Sequence, residues 1–115
     1  MSLKLNTREL KDVVIVDLSG RLMIGDGCAA IRDEIHDQIA NGVRNVLLNL
    51  ADVSYIDSAG LGELTAAFTT VKNRGGHLKL LSLTKRVHDL MQITKLYTVF
   101  DVYDDEKTAL ASFAS

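Results

Sequence analysis

The 115-residue chain has no proline, no tryptophan and a single cysteine, Cys28. A lone thiol cannot close an internal disulfide, which fits a reducing compartment. Aromatics make up only 5% of the residues, so the core must be built mainly from aliphatic side chains. Proline-rich and Gly/Ser-rich linkers are absent, as are internal repeats, and the length suits one compact unit. A single domain over residues 1–115 is therefore expected. No apolar run approaches the length of a bilayer span, and Met1-Ser2-Leu3-Lys4 lacks the apolar stretch of a signal peptide. Together these predict a cytoplasmic protein with no membrane insertion. The formal net charge is only -2, which leaves no basic field to attract nucleic acid. His36, His77 and His88 are the only histidines and form no HxxxH-type pair, so neither a metal nor another cofactor is expected.

What is present is 47% hydrophobic residues, ordinary for a globular core, arranged around one stretch. Asn45-Val46-Leu47-Leu48-Asn49-Leu50 is too apolar to be half exposed and reads as a buried strand of a parallel-type sheet. Beyond it, Leu61, Leu64, Phe68 and Val71 recur at helical spacing. Between strand and helix lies Asp52-Val53-Ser54-Tyr55-Ile56-Asp57-Ser58-Ala59-Gly60-Leu61-Gly62. An acid and a hydroxyl thus fall at the carboxyl edge of a sheet, beside a helix N-terminus. Open α/β sheets bind ligands on that edge, and helix N-termini favour negative charge. Asp57 and Ser58 are also the preferred capping residue types, which would account for them with no further role. Gly60 and Gly62 cost helix propensity, about 1 kcal/mol each against alanine. They point to close backbone approach by a neighbouring strand or a partner.

The remaining elements follow in order. Leu3–Leu10 alternates as an edge strand, Glu9–Asp12 forms a polar turn, and Val13–Leu18 is a β-branched second strand, together an antiparallel hairpin. Ser19-Gly20 breaks that run, and Arg21–Ile24 is extended or irregular. Asp26 is placed to cap a first helix whose apolar stripe is Cys28, Ile31, Ile35 and Ile39, closed by Asn41-Gly42. Cys28 reads as a small core residue, with only Arg32 near enough in sequence to lower its pKa. The central helix ends with Lys72, Arg74 and Gly75-Gly76. His77–Leu83 is a third core strand. Thr84 caps a helix carrying Val87, Leu90 and Met91, Val99–Tyr103 is a last strand, and Asp104 or Asp105 caps a terminal helix with Leu110 and Phe113. The order β-β-α-β-α-β-α-β-α predicts a mixed sheet with right-handed crossovers and packed helices.

Each enzymatic pattern lacks its second component. Ile56-Asp57-Ser58-Ala59-Gly60 is not G-x-S-x-G, and no histidine is tied to Ser58. Gly60-Leu61-Gly62-Glu63 has neither the lysine nor the spacing of a phosphate-binding loop. Asp57 follows a buried strand as the phospho-accepting acid of a receiver does, but Ser19-Gly20-Arg21 supplies no paired acids for Mg²⁺.

Leu48-Asn49-Leu50, followed by Val53-Ser54-Tyr55-Ile56-Asp57-Ser58-Ala59-Gly60-Leu61-Gly62, closely resembles the signature of STAS domains, the anti-sigma factor antagonists. In that family it reads L-N-L, then D-S-S/A/T-G-L-G. The likeness runs the whole chain, through Leu18-Ser19-Gly20-Arg21-Leu22, the Gly75-Gly76 turn and the Thr84 helix. It implies a STAS-like (SpoIIAA-like) α/β fold, a mixed β-sheet with an antiparallel edge hairpin, and no catalysis. It implies a partner that is both anti-sigma factor and serine kinase, which phosphorylates the serine falling on Ser58 and binds the unphosphorylated form, releasing a sigma factor. The preceding aspartate falls on Asp57, and Ala59 stands where a second serine is frequent. An acid often follows the Gly-x-Leu of the early loop in this family; here Met23 occupies that place, with Asp26 in another register.

The reading that results is a phosphorylation-switched binding module with Ser58 as the switch. Its contact surface is expected from Asp57, Ser58, Ala59, Gly60, Leu61 and Gly62 with Met23, Ile24 and Asp26; homodimer formation is left open. The alternative is a non-switched STAS scaffold subunit of a transporter or signalling complex. A small hydrolase or phosphotransferase using Ser58 or Asp57 stands behind both.

Overall fold

The computed structural model describes residues 3–114. Its elements run β1 (Lys4–Leu10), β2 (Val13–Leu22), α1 (Asp26–Ala40), β3 (Asn45–Ile56), α2 (Ser58–Asn73), β4 (His77–Leu81), α3 (Lys85–Thr94), a 3-10 turn over Leu96–Thr98, β5 (Val102–Tyr103) and α4 (Glu106–Ser112). The five strands lie in sequence order, β1 antiparallel to β2 and every other pair parallel. Right-handed crossovers that always step in the same direction place their helices on the same face. Accordingly α1, α2 and α3 share one core with Val14, Val16, Leu18, Val46, Leu48, Leu50, Leu78 and Leu80. The opposite face, Val13, Ile15, Leu47 and Leu81, is covered by α4 through Ala109, with Leu110 and Phe113 packed beside it. Both faces of β2 are therefore buried, which explains its unbroken Val13-Val14-Ile15-Val16 run.

Arg8 joins the hairpin to α4. Its guanidinium donates to Asp17 (2.7 and 3.0 Å) and to Glu106 (2.7 and 3.3 Å). The Asp17 carboxyl is held below its usual range, chiefly by that guanidinium. Lys79 fastens the far end of α4, donating to the Ser112 carbonyl (3.2 Å) and hydroxyl (2.9 Å) and lying 4.7 Å from the Phe113 ring centre.

Several boundaries differ from the sequence reading. β1 ends at Leu10 as read, but Glu9 and Leu10 belong to the strand and the turn is only Lys11-Asp12, both at positive φ (49° and 68°). Such two-residue turns match the twist of the flanking strands. β2 does not break at Ser19-Gly20 but runs on to Leu22. β3 runs to Ile56, six residues beyond the apolar stretch. Asp26 is not the cap of α1: Gly25 (φ 100°) is, and Asp26 is the first helical residue. β4 stops at Leu81, where Ser82 turns to φ 58°. The last strand shrinks to Val102–Tyr103, because Lys95 (φ 62°) starts a 3-10 turn. That turn delivers Phe100 to the core, edge-on to Phe68 with ring centres 5.5 Å apart. The caps Asp57, Thr84 and Asp105 each accept a backbone N–H as read from sequence.

The length of β3 positions the site. Asp17 is opposite Asn49 but Ser19 is opposite Asp52, and Gly20 is opposite Val53 but Arg21 opposite Tyr55. At each step β3 holds one residue more than β2, so it carries two bulges, which bend a strand and increase its twist. Asn49 brackets the first: its amide donates to Asp17 (2.8 Å) and its oxygen accepts from the Ala51 N–H (3.1 Å). Ser54 fastens the second, donating to the Gly20 carbonyl (3.2 Å).

Candidate functional site

Ile56 ends β3, Asp57 has extended backbone, and Ser58 opens α2. The Asp57 carboxylate is used on both oxygens. Oδ1 accepts from the Gly60 N–H at 2.7 Å, capping α2, and Oδ2 accepts from the Ile24 N–H at 3.0 Å. Its main chain is fixed as well: the Asp57 N–H donates to the Leu22 carbonyl (3.2 Å), and the Leu61 N–H donates to the Asp57 carbonyl (3.0 Å). Asp57 therefore ties the β2–α1 loop to the start of α2, two segments thirty-odd residues apart in sequence. The Ile24 N–H, and after it the Gly60 N–H, hold this carboxyl below the usual carboxylate range, because both bonds favour the charged form.

Gly60 is buried, and a methyl group there would run into the Leu22 carbonyl oxygen and come within 2.9 Å of Leu22 Cγ. Here the glycine is required by a neighbouring strand. Gly62 is different: it is exposed, and nothing lies within 4 Å of where its Cβ would stand. No contact among the described residues asks for glycine at that position.

Not all the residues expected at a contact surface face outward. Ser58 is exposed, and its hydroxyl makes no hydrogen bond within the described residues. Gly62, Asp26 and Ile24 are also exposed, Ile24 at 77%. Ala59 and Met23 are half-buried, and Leu61 is only 5% exposed, its side chain being part of the core. Leu61 and Gly60 thus shape the turn from beneath. Apolar spacing alone could have assigned Leu61 to the core, since it begins the stripe continued by Leu64 and Val71.

Cys28 is buried, and its thiol is pushed up by burial and by the charges of Glu63 and Asp57, which disfavours the thiolate. Arg32 pairs instead with Glu63 at 2.7 Å and links α1 to α2. Among the described residues no group of three histidine, cysteine or acidic side chains could hold a metal ion. His36, His77 and His88 are all exposed, and Ser58 has no histidine hydrogen-bonded to it. No described helix is long and apolar enough to cross a membrane. The role of Asn49 was not read from the sequence; an amide inside the apolar run Val46–Leu50 was the available signal.

The turn, tied by Asp57 to the β2–α1 loop, thus presents an exposed hydroxyl at the carboxyl edge of a small α/β sheet. The chain belongs to the STAS domain family, whose model matches residues 4–109. It is similar to the Anti-sigma-B factor antagonist of Bacillus subtilis, 29% identical over 102 residues that cover 89% of this chain and 92% of that one. Its fold is shared with a Thermotoga maritima protein of known crystal structure, at TM-score 0.89 and 24% identity, covering 96% and 95% of the two chains. It is shared too with the Bacillus cell fate determinant SpoIIAA in its phosphorylated form, at TM-score 0.74 and 20% identity, covering 95% and 98%.

Proposed function

We propose that this protein is an anti-sigma factor antagonist whose binding is switched by phosphorylation of Ser58. It is a binding module, and its partner is an anti-sigma factor that is also the serine kinase. The observation that carries the reading is the Ser58 hydroxyl, exposed and unbonded at the first position of α2 on a turn fixed from both sides by Asp57. The relatives named as antagonists support the class of partner.

A phosphoryl group on Ser58 adds about −1.5 to −2 charge. At a helix N-terminus that charge is favoured by about 0.3–1 kcal/mol at an exposed site. The domain thus accepts the group without unfolding. A partner seated on the same turn meets a dianion beside the ionised Asp57. Losing a hundredfold in affinity requires about 2.7 kcal/mol, which desolvation and like-charge repulsion at an interface can supply. Met23, where the family often has an acid, makes the loop half of this surface apolar with Ile24.

The test is titration of the native chain, Ser58→Ala and Ser58→Asp into each purified anti-sigma factor of the host, with and without ATP. Ser58→Ala is expected to bind constitutively and Ser58→Asp about a hundredfold more weakly. Equal binding by all three forms would refute the switch and leave a constitutive scaffold.

A further inference from the structure

On the α3 side of the Ser58 turn, the end of β3 and α3 enclose an open groove of about 560 Å³. Its apolar wall is Tyr55, Ile56, Leu90 and Ile93. Ile93 is 79% exposed, more than any other large apolar side chain among the described residues. Two cations stand at the rim. Lys85 is already paired with Asp89, one helical turn on, at 3.0 Å. Arg86 lies over the Tyr55 ring, 5.7 Å from its centre, and makes no ion pair among the described residues. The stacked guanidinium is held with its donors available, which suits it to a carboxylate.

The location argues for the occupant. Ile56 is two residues from Ser58, roughly 7 Å of extended chain. A specific interface covers about 800 Å² per partner, far more than the turn alone presents, so a partner seated on Ser58 extends over its surroundings. The groove is also keyed to the same strand, because the Thr84 hydroxyl that caps α3 donates to the Val53 carbonyl (3.2 Å). The two sides of the footprint differ in sign: Asp57 on one, Arg86 on the other. Such polarity fixes the orientation in which a partner docks.

We propose that this groove is the second contact of the anti-sigma factor that reads Ser58, receiving from it an apolar side chain between Tyr55 and Ile93 and a neighbouring carboxylate on Arg86. The assignment rests on the function proposed above and adds to it a constant contact beside the switched one. Phosphorylation alters the Ser58 side of the footprint and leaves the groove side in place.

The experiment measures the affinity of each purified host anti-sigma factor for the native chain and for the variants Ser58→Asp, Ile93→Asp, Arg86→Glu and Arg86→Lys. Ile93 and Arg86 are exposed, and thermal unfolding checks that the variants keep the native fold. Ile93→Asp and Arg86→Glu are each expected to weaken binding at least tenfold, with Arg86→Lys in between. Arg86→Glu is also expected to reduce the salt dependence of the association rate. If Ser58→Asp loses binding while both α3 variants stay within twofold of native, the groove assignment is overturned and the function stands. If Ile93→Asp loses binding and Ser58→Asp does not, the groove stands and the switch is overturned. If no host anti-sigma factor binds the native chain, the function fails and the groove assignment with it. Self-association abolished by Ile93→Asp, with anti-sigma affinity unchanged, would assign the groove to a second copy of this chain and overturn the proposal.

Discussion

Gly60 and Gly62 stand two residues apart in the first turns of α2, and replacing each by alanine should move stability in opposite directions. At Gly60 the new methyl meets the Leu22 carbonyl oxygen and Leu22 Cγ. A backbone oxygen cannot swing aside as a side chain can, so α2 must move away from the β2–α1 loop. Overpacking of this kind costs about 1–3 kcal/mol. Alanine recovers at most about 1 kcal/mol of helix propensity over glycine, and a clash with backbone rather than a movable side chain puts the cost above the low end of its range, so Gly60→Ala is a net loss of up to about 2 kcal/mol. At Gly62 the space is open and the propensity gain of up to about 1 kcal/mol is unopposed. Each kcal/mol moves the midpoint of a domain this size by about 4 °C. Thermal and urea unfolding of the two single variants therefore reads the difference directly, with Gly60→Ala melting lower and Gly62→Ala melting up to about 4 °C higher than native. A Gly60→Ala protein as stable as native, or a destabilised Gly62→Ala protein, would refute the account of this turn. If Gly62 is bare for a partner, the more stable Gly62→Ala variant will also bind its anti-sigma factor more weakly.

The carboxyls of Asp57 and Asp17 are both held low in the folded chain, whereas in the unfolded chain they titrate near 3.9. The stability they contribute is present above about pH 5 and is lost as pH falls through their folded values; urea titrations from pH 6 to pH 2 should show Asp57→Asn flattening that decline. Leu64 is 0% exposed at the centre of the core, and Leu64→Ala should cost about 2–5 kcal/mol by chemical denaturation. Arg8→Gln releases Glu106 and Asp17 together, so hydrogen exchange should quicken in α4 while α2 keeps its protection. The Cys28 thiol, buried and raised in pKa, should react with a disulfide reagent only at the rate of opening, and at the full free-thiol rate in denaturant.

The elements that sequence located well are those whose periodicity is set by a single buried face. α1, α2 and α3 lie where their stripes put them, and Asp57, Thr84 and Asp105 cap as their side chains allow. The misses share a physical origin in long-range pairing. β3 continues through Ala51 and Asp52, both exposed, because β2 runs on beside it. No local propensity reports a neighbour thirty residues away. Val99-Phe100 looks like the start of a strand, yet Phe100 is taken by the core through a 3-10 turn. The candidate site was legible as a motif but not as an assembly. Asp57 and Ser58 announce a cap, while nothing in the sequence states that the second oxygen of Asp57 holds Ile24.

β3 is a strand with two mechanical regimes. From Asn45 to Asn49 it is laddered on both sides, to β2 and to β4. Beyond Asn49 its ladder continues only toward β2, across two register shifts. The first half is a fixed mount; the second is a cantilever whose tip is Ile56, Asp57 and Ser58. Changes in the mount register as lost stability. Leu50, Val53 and Ile56 still anchor that half in the core, so the exposed positions Ala51, Asp52 and Ser54 are where the aim of this surface can be retuned without rebuilding the domain.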